Sequence, residues 1–461
     1  MESLNSASNP AELPEGTLCQ LLVEAVDRFG SAPALREFVE DSSELRDLSY
    51  DEMFEKARRG AAALRGAGLA PGDRAAILSE NRTEWALSDQ ACLLARVVDI
   101  PIYDTLIPEQ VAYILEDSGA RLAFVSTRDQ MEKARKAAEL AGVELALVVF
   151  DPGTDPLPEG VQAWADFLAS VEPWDRERID EEISKVSVDD VATVLYTSGT
   201  TGHPKGVMLS HGNIYSNVEA SGRVLLIRDD DVTLSFLPLS HIFQRMVDYL
   251  LLSRGCVLGR AHDIASVASD LALVRPTVQV AVPRVYEKVY AGVMQRATGI
   301  KKSLLLWAVG VGRRWAEARL AGKEPGAFTR LQYSLADRLV FGKIRAAVGG
   351  RVRFFISGSA PLNPELALFF YSAGMVILEG YGLTETSPVT NVNPLDGFRI
   401  GSVGPPIPGT EIRIVPVPGR ELDEGEGEIL VRGPQVMMGY YQRPEATAEV
   451  LDADGWFHTG D

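Results

Sequence analysis

From Val191 to Asn213 the chain reads VATVLYTSGTTGHPKGVMLSHGN, a run of apolar strand formers that breaks into small and hydroxyl residues and then leads to a helix near Asn213. A strand that ends this way gathers backbone N–H groups and hydroxyls around an anion. Open α/β sheets hold ligands at this place, beyond the C-terminal ends of their strands. Lys205 adds a point charge able to reach outer phosphates. The loop is not a Walker A element, which needs Gly-Lys-Ser/Thr running into a helix. Here Pro204 precedes Lys205 and Gly206 follows it.

The surrounding sequence supplies the sheet that such a loop requires. In RAAILSENRTEWALSDQACLLARVVDIPIY a short apolar run, RAAIL, precedes an amphipathic stretch from about Thr83 to Arg96, and VVDIPI follows as a second strand. This βαβ rhythm predicts a mostly parallel sheet covered by helices. FDPGTDPLPEG, from Phe150 to Gly160, is a turn-rich connection. Beyond Asn391 the pattern changes to short β-like runs broken by Gly and Pro, with no helical period. The fold class is therefore α/β. The expected division is a first α/β subdomain over 1–189, a second with the phosphate loop over 190–391, and a small β-rich subdomain over 392–461.

A net charge of −19 over 461 residues excludes general nucleic-acid binding, which needs a basic footprint. Cys19, Cys92 and Cys256 fit neither a zinc motif nor a disulfide framework. No apolar run approaches the ~20 residues needed to span a bilayer, and the polar start MESLNSASNPAELPEG has no signal-peptide core. The expected location is cytoplasmic, at most peripheral to a membrane.

Three further segments carry chemistry. RVRFFISGSAPLNPELALFF (Arg351–Phe370) reads as strand, tight turn and helix, with Asn363 as N-cap and Pro364 at the first helical position. MVILEGYGLTETSP (Met375–Pro388) is a strand ending in Glu379-Gly380-Tyr381-Gly382, followed by Thr384-Glu385. Tyr381 can stack on a base, Thr384 can bond a phosphate, and Glu385 offers hard oxygen to magnesium. GWFHTGD ends in Asp461, an acceptor-only group suited to a diol.

Together YTSGTTG-PKG, EGYGLTE and GWFHTGD resemble the signatures of the adenylate-forming superfamily of acyl-CoA synthetases, peptide-synthetase adenylation domains and luciferases. The resemblance runs over nearly the whole chain. It implies the large N-terminal adenylating domain of that family, with the small C-terminal domain absent. It places nucleotide on Thr197, Ser198, Gly199, Thr200, Thr201, Gly202 and Lys205, on Gly358, Ser359 and Ala360 against adenine, and on Glu379, Gly380, Tyr381, Gly382 and Thr384. Asp461 takes the ribose hydroxyls, Thr197 and Glu385 hold magnesium, and Lys205, Thr384 and Glu385 form the catalytic set.

FLPLSHIFQRM (Phe236–Met246) and RPTVQVAVPRVYEKVY (Arg275–Tyr290) look closest to the bacterial long-chain fatty-acid branch, with His241 and Phe243 as acyl-pocket candidates. The implied reaction is attack of a fatty carboxylate on the α-phosphorus of ATP, giving acyl-adenylate and then, with coenzyme A, a thioester. A fatty acid is ionised at pH 7, so no general base is required. The alternatives are a fatty-acyl-AMP ligase that hands the acyl group to a carrier protein, and a fragment that binds nucleotide and acyl chain without turnover. The expected cofactors and co-substrates are Mg2+, ATP and coenzyme A, and a homodimer is kept open.

IKKSLLLWAVGVGRRWAEARL (Ile300–Leu320) sets Lys301-Lys302 and Arg313-Arg314 around an apolar run containing Trp307. It can be read as a weak membrane-surface helix. The favoured reading is a helix packed on its own domain, because one such segment on a chain of this charge attracts anionic lipid weakly.

Overall fold

The computed structural model describes residues 13–39, 42, 44–197, 203–263, 265–417, 419, 423 and 425–461. Its largest sheet has eight strands, in the spatial order Gly439–Tyr440, Lys205–Ser210, Val191–Thr197, Val98–Ile102, Arg74–Leu78, Leu122–Val125, Ala146–Val149 and Val161–Ala163. From Val191–Thr197 outward to Val161–Ala163 the pairing is parallel. The expected βαβ unit is there: Arg74–Leu78, the helix Thr83–Ala95 and Val98–Ile102, with Ala76 paired to Ile100. Both strands are almost wholly buried, as expected of parallel strands covered on both faces.

A second sheet places Val278–Ala281, Phe354–Ser357 and Ile377–Gly382 in parallel, with Val389–Val392 antiparallel at its end. A third contains Val232–Ser235, Val257–Arg260, Pro33–Phe38 and Leu45–Ser49. Both the eight-stranded sheet and this third one draw strands from either side of residue 190. The β-rich end contributes a three-stranded antiparallel sheet of Glu411–Val415, Glu428–Arg432 and Phe457–His458. It also carries one short helix, Pro444–Val450, which the Gly/Pro-rich pattern hid.

One expectation needs correction. The segment after the phosphate loop does not run straight to a helix. Lys205–Ser210 returns as an antiparallel strand with Thr197 opposite Lys205 and Tyr196 opposite Gly206. Val207 and Leu209 are buried, so the alternation in KGVMLS is that of a strand. The helix then begins at His211, where Ser210 and Asn213 cap each other's backbone N–H in a capping box.

Under the eight-stranded sheet lies a buried ionic cluster. Arg245 pairs with Asp89 and, at 2.8 Å, with Asp99; it donates to Thr193 Oγ1 at 2.9 Å, and Tyr249 donates to Asp89 at 2.6 Å. The guanidinium also lies over the Trp85 ring. These contacts tie the helix Ile242–Ser253 to two strands and to the helix Thr83–Ala95.

The helix Gly299–Leu320 buries Leu305, Ala308, Val311 and Ala316 against its own domain. It pairs with the helix Ala327–Ala336, on which Trp315 and Tyr333 stack at 4.3 Å.

Candidate functional site

The cleft is built from strand ends. Thr197 closes one strand and Lys205 opens its neighbour, so the pair brackets the hydroxyl-rich loop. Ser198, Gly199, Thr200, Thr201 and Gly202 lie outside the described residues. Lys205 Nζ stands 4.9 Å from the centroid of the Tyr440 ring. Tyr440 reaches this position because Gly439–Tyr440 pairs antiparallel with Lys205–Ser210 at the edge of the sheet. Its hydroxyl donates to Glu385 Oε1 at 3.0 Å. Lys205 and Glu385, 180 positions apart in sequence, thus share one aromatic neighbour.

Thr384–Thr386 form a single 3-10 turn after the strand Ile377–Gly382. Met437 N–H donates to the Glu385 carbonyl at 2.8 Å, which fixes the turn to the segment carrying Tyr440. Gly382 is required by packing: a Cβ there would stand 1.8 Å from the Pro388 carbonyl oxygen. Tyr381 donates from its hydroxyl to Asp461 Oδ2 at 2.7 Å, joining the second signature to the third. Burial and the Asp461 carboxylate both push the Tyr381 phenol well above its usual range, so it stays a donor. Asp461 is held in turn, its N–H donating to Thr459 Oγ1 and its carbonyl accepting from Ile429.

Glu379 behaves differently from its neighbours. Its side chain turns inward, accepts from Gly401 N–H at 3.0 Å, and is only 8% exposed. Burial raises its carboxyl pKa, partly offset by the backbone donors Gly401 and Leu362. Its side chain organises the 401 loop.

Gly358 and Ser359 line a mostly apolar cavity with His241, Phe243, Met246, Val247, Ile356, Gly380, Tyr381 and Gly382. Ala360 follows at the exposed turn. Ser359 holds a left-handed φ of 68°, uncommon for a residue with a Cβ. Phe243 closes over Gly358, where a Cβ would sit 3.0 Å from its Cζ. His241 caps the helix Ile242–Ser253, its Nδ1 accepting from Phe243 N–H at 3.1 Å. Burial lowers its pKa, so the ring is neutral with its proton assigned to Nε2.

Among the described residues no group of three His, Cys, Asp or Glu is placed to hold a metal. Magnesium requires less: one or two protein oxygens, with phosphate and water completing the shell. Thr197 and Glu385 would supply oxygens of that kind, and the Tyr440 hydroxyl donates to Oε1 of Glu385. Tyr440 itself was not read from the sequence. It sits in MMGYY, which has no distinctive spacing, and only the strand pairing brings it to Lys205.

The model of a family described as AMP-binding enzyme matches residues 22–441. A long-chain-fatty-acid–CoA ligase, FadD15 of Mycobacterium bovis, is 37% identical over 418 residues, covering 90% of this chain and 67% of its own length. Long-chain-fatty-acid–CoA ligase 1 of Homo sapiens is 35% identical over 434 residues, 90% of this chain and 60% of that protein. The chain therefore spans about two thirds of the length of these relatives, or less. Among solved structures, apo MatB from Rhodopseudomonas palustris superposes with a TM-score of 0.71 at 26% identity, over 96% of this chain and 76% of the other.

Proposed function

This chain belongs to the AMP-binding enzyme family, and from that premise we propose that it activates a long-chain fatty acid with ATP to an acyl-adenylate, the whole protein then passing the acyl group to coenzyme A. The long-chain reading draws on the names of its relatives. The observation that best supports the nucleotide site is the 2.7 Å hydrogen bond between Tyr381, a ring that would stack on the base, and Asp461, a carboxylate that would take the ribose hydroxyls. Gly358, Ser359 and Ala360 would flank the adenine. Lys205 and Thr384 would hold the phosphates with the loop 198–202.

Thr197 and Glu385 would hold magnesium, which supplies charge compensation on the phosphate oxygens. The carboxylate nucleophile arrives ionised, so the work of the protein is to bring two anions together and stabilise the charge that develops. The acyl chain would lie past His241 and Phe243 against Met246, Val247 and Ile356. A neutral His241 adds no charge that the chain must desolvate.

The test is ATP–pyrophosphate exchange driven by a panel of fatty acids, alongside calorimetric AMP binding. Long-chain acids are expected to drive exchange. Glu385→Gln is expected to reduce it by roughly 100-fold or more while leaving AMP affinity within about threefold. Equal losses in both would make Glu385 structural. AMP binding without exchange from any acid would leave a nucleotide-binding protein and overturn the catalytic reading.

A further inference from the structure

Exposed large apolar side chains are concentrated in one place. Of the fifteen that are exposed among the described residues, seven fall between Ile300 and Leu339. Ile300 is 89% exposed, Phe328 73% and Leu331 71%. On the helix Ala327–Ala336, Phe328, Leu331 and Leu335 recur at helical spacing on one face, and Leu339 continues the row. The opposite face is already used: Ala336 is buried and Tyr333 stacks on Trp315. The row is therefore a second apolar face on which nothing packs among the described residues.

The same segment reverses the charge of the molecule. Between positions 296 and 345 the sequence has eleven Lys or Arg and three Asp or Glu, a balance of +8 on a chain of −19. All three acids are spent locally: Glu317 on Arg313, Glu324 on Arg319 and Asp337 on Arg345. Lys301, Lys302, Lys323, Arg330, Arg338 and Lys343 are exposed and have no carboxylate partner among the described residues. Cations flanking exposed Phe and Leu suit a layer that is anionic at its surface and apolar just beneath it. A second copy of this chain would present the same apolar row, but pairing the row with itself would set the surrounding cations against one another.

We propose that the hairpin of Gly299–Leu320 and Ala327–Ala336 docks this protein on anionic phospholipid bilayers, with Phe328, Leu331 and Leu335 entering the interface. The helix Gly299–Leu320, for which the sequence favoured packing on its own domain over a membrane role, serves as the platform. It buries Leu305, Ala308, Val311 and Ala316, and the Arg313–Glu365 ion pair at 2.9 Å ties it to the helix Pro364–Ser372. Docking there would bring a bilayer-dissolved acyl chain to the cleft. That use rests on the activity proposed above, whereas the binding does not, and it is measured without turnover.

The experiment is co-sedimentation of the full chain with vesicles of pure phosphatidylcholine and of phosphatidylcholine with phosphatidylglycerol, at low and moderate salt. Binding only to the anionic vesicles, weakening with salt, is expected. Lys301→Gln/Arg330→Gln/Arg338→Gln is expected to weaken it on the order of 100-fold, at about one basic residue's contribution each. Phe328→Ser/Leu331→Ser is expected to abolish it with an unchanged melting temperature, because both side chains are exposed; should that variant fold poorly, the charge variant decides. Equal binding to neutral vesicles, no binding to either, or retention by both variants would overturn the proposal. So would a concentration-dependent dimer in light scattering that Phe328→Ser/Leu331→Ser dissociates, which would assign the face to a second copy.

Discussion

Tyr440 touches two groups that the proposed reaction needs, one through its ring and one through its hydroxyl. Tyr440→Phe keeps the ring under Lys205 and removes only the donor to Glu385. A hydrogen bond to a partly exposed carboxylate is worth about 1–2 kcal/mol, so exchange should fall roughly tenfold. The loss should shrink as magnesium is raised, with AMP affinity unchanged. A magnesium-independent loss would place the hydroxyl outside metal handling. The same residue shows the limit of reading by motif. Tyr381, Thr384 and Asp461 stand in strings whose spacing is distinctive, and the Tyr381–Asp461 contact fits the reading that put both on one nucleotide. Tyr440 has meaning only through a two-residue edge strand, which no local pattern encodes. Glu379, read from the same string as Tyr381, is instead taken up by the 401 loop, where it accepts from Gly401 N–H, a partner the string does not reveal.

At the scale of elements, the turn after Ile377–Gly382 is set by contact between backbones. At Gly382 a Cβ would meet the Pro388 carbonyl, which belongs to the paired segment and cannot step aside as a side chain could. Gly382→Ala is expected to cost about 3 kcal/mol and to lower the melting temperature by roughly 3 °C. Gly292 provides the control of opposite sign: it lies inside the helix Pro283–Arg296 with nothing within 4 Å of its missing Cβ. Gly292→Ala should stabilise by about 0.5–1 kcal/mol. Similar losses at both sites would remove the steric account. Arg74–Leu78, Thr83–Ala95 and Val98–Ile102 were legible as apolar runs of strand and helix length, although Thr83–Ala95, expected to be amphipathic, is buried on nearly every side because it packs beneath the sheet among other helices. The return strand Lys205–Ser210 was not, since Gly, Pro and Lys at its start read as loop until its partner strand is known.

For the whole molecule, the buried cluster around Arg245 couples stability to pH. Burial lifts the Asp99 carboxyl from its ordinary 3.8 to about 6, with Arg245 opposing the rise and Asp89 adding to it. The folded chain thus holds this proton more tightly than the unfolded chain does. Its stabilising contribution is complete below about pH 3.8 and is lost as pH rises through about 6. Asp99→Asn, neutral at every pH, should lack that decline. The melting temperature of the variant relative to the parent should therefore rise between about pH 4.5 and about pH 7.5. A gap that stays constant across this range would mean that Asp99 titrates alike in both states. The placement of this cluster could not be read from sequence, because Asp89, Asp99, Thr193 and Arg245 come together only when the helix Ile242–Ser253 packs under the sheet.

The edge strand Gly439–Tyr440 also has a consequence for biosynthesis. Its partner Lys205–Ser210 leaves the ribosome about half a chain earlier. Until Tyr440 has been translated, that strand presents an unpaired edge, and open edges recruit other nascent chains. Lys205 likewise waits for its aromatic neighbour over the same interval. Slow translation between these two segments would lengthen the interval in which a chaperone is most useful.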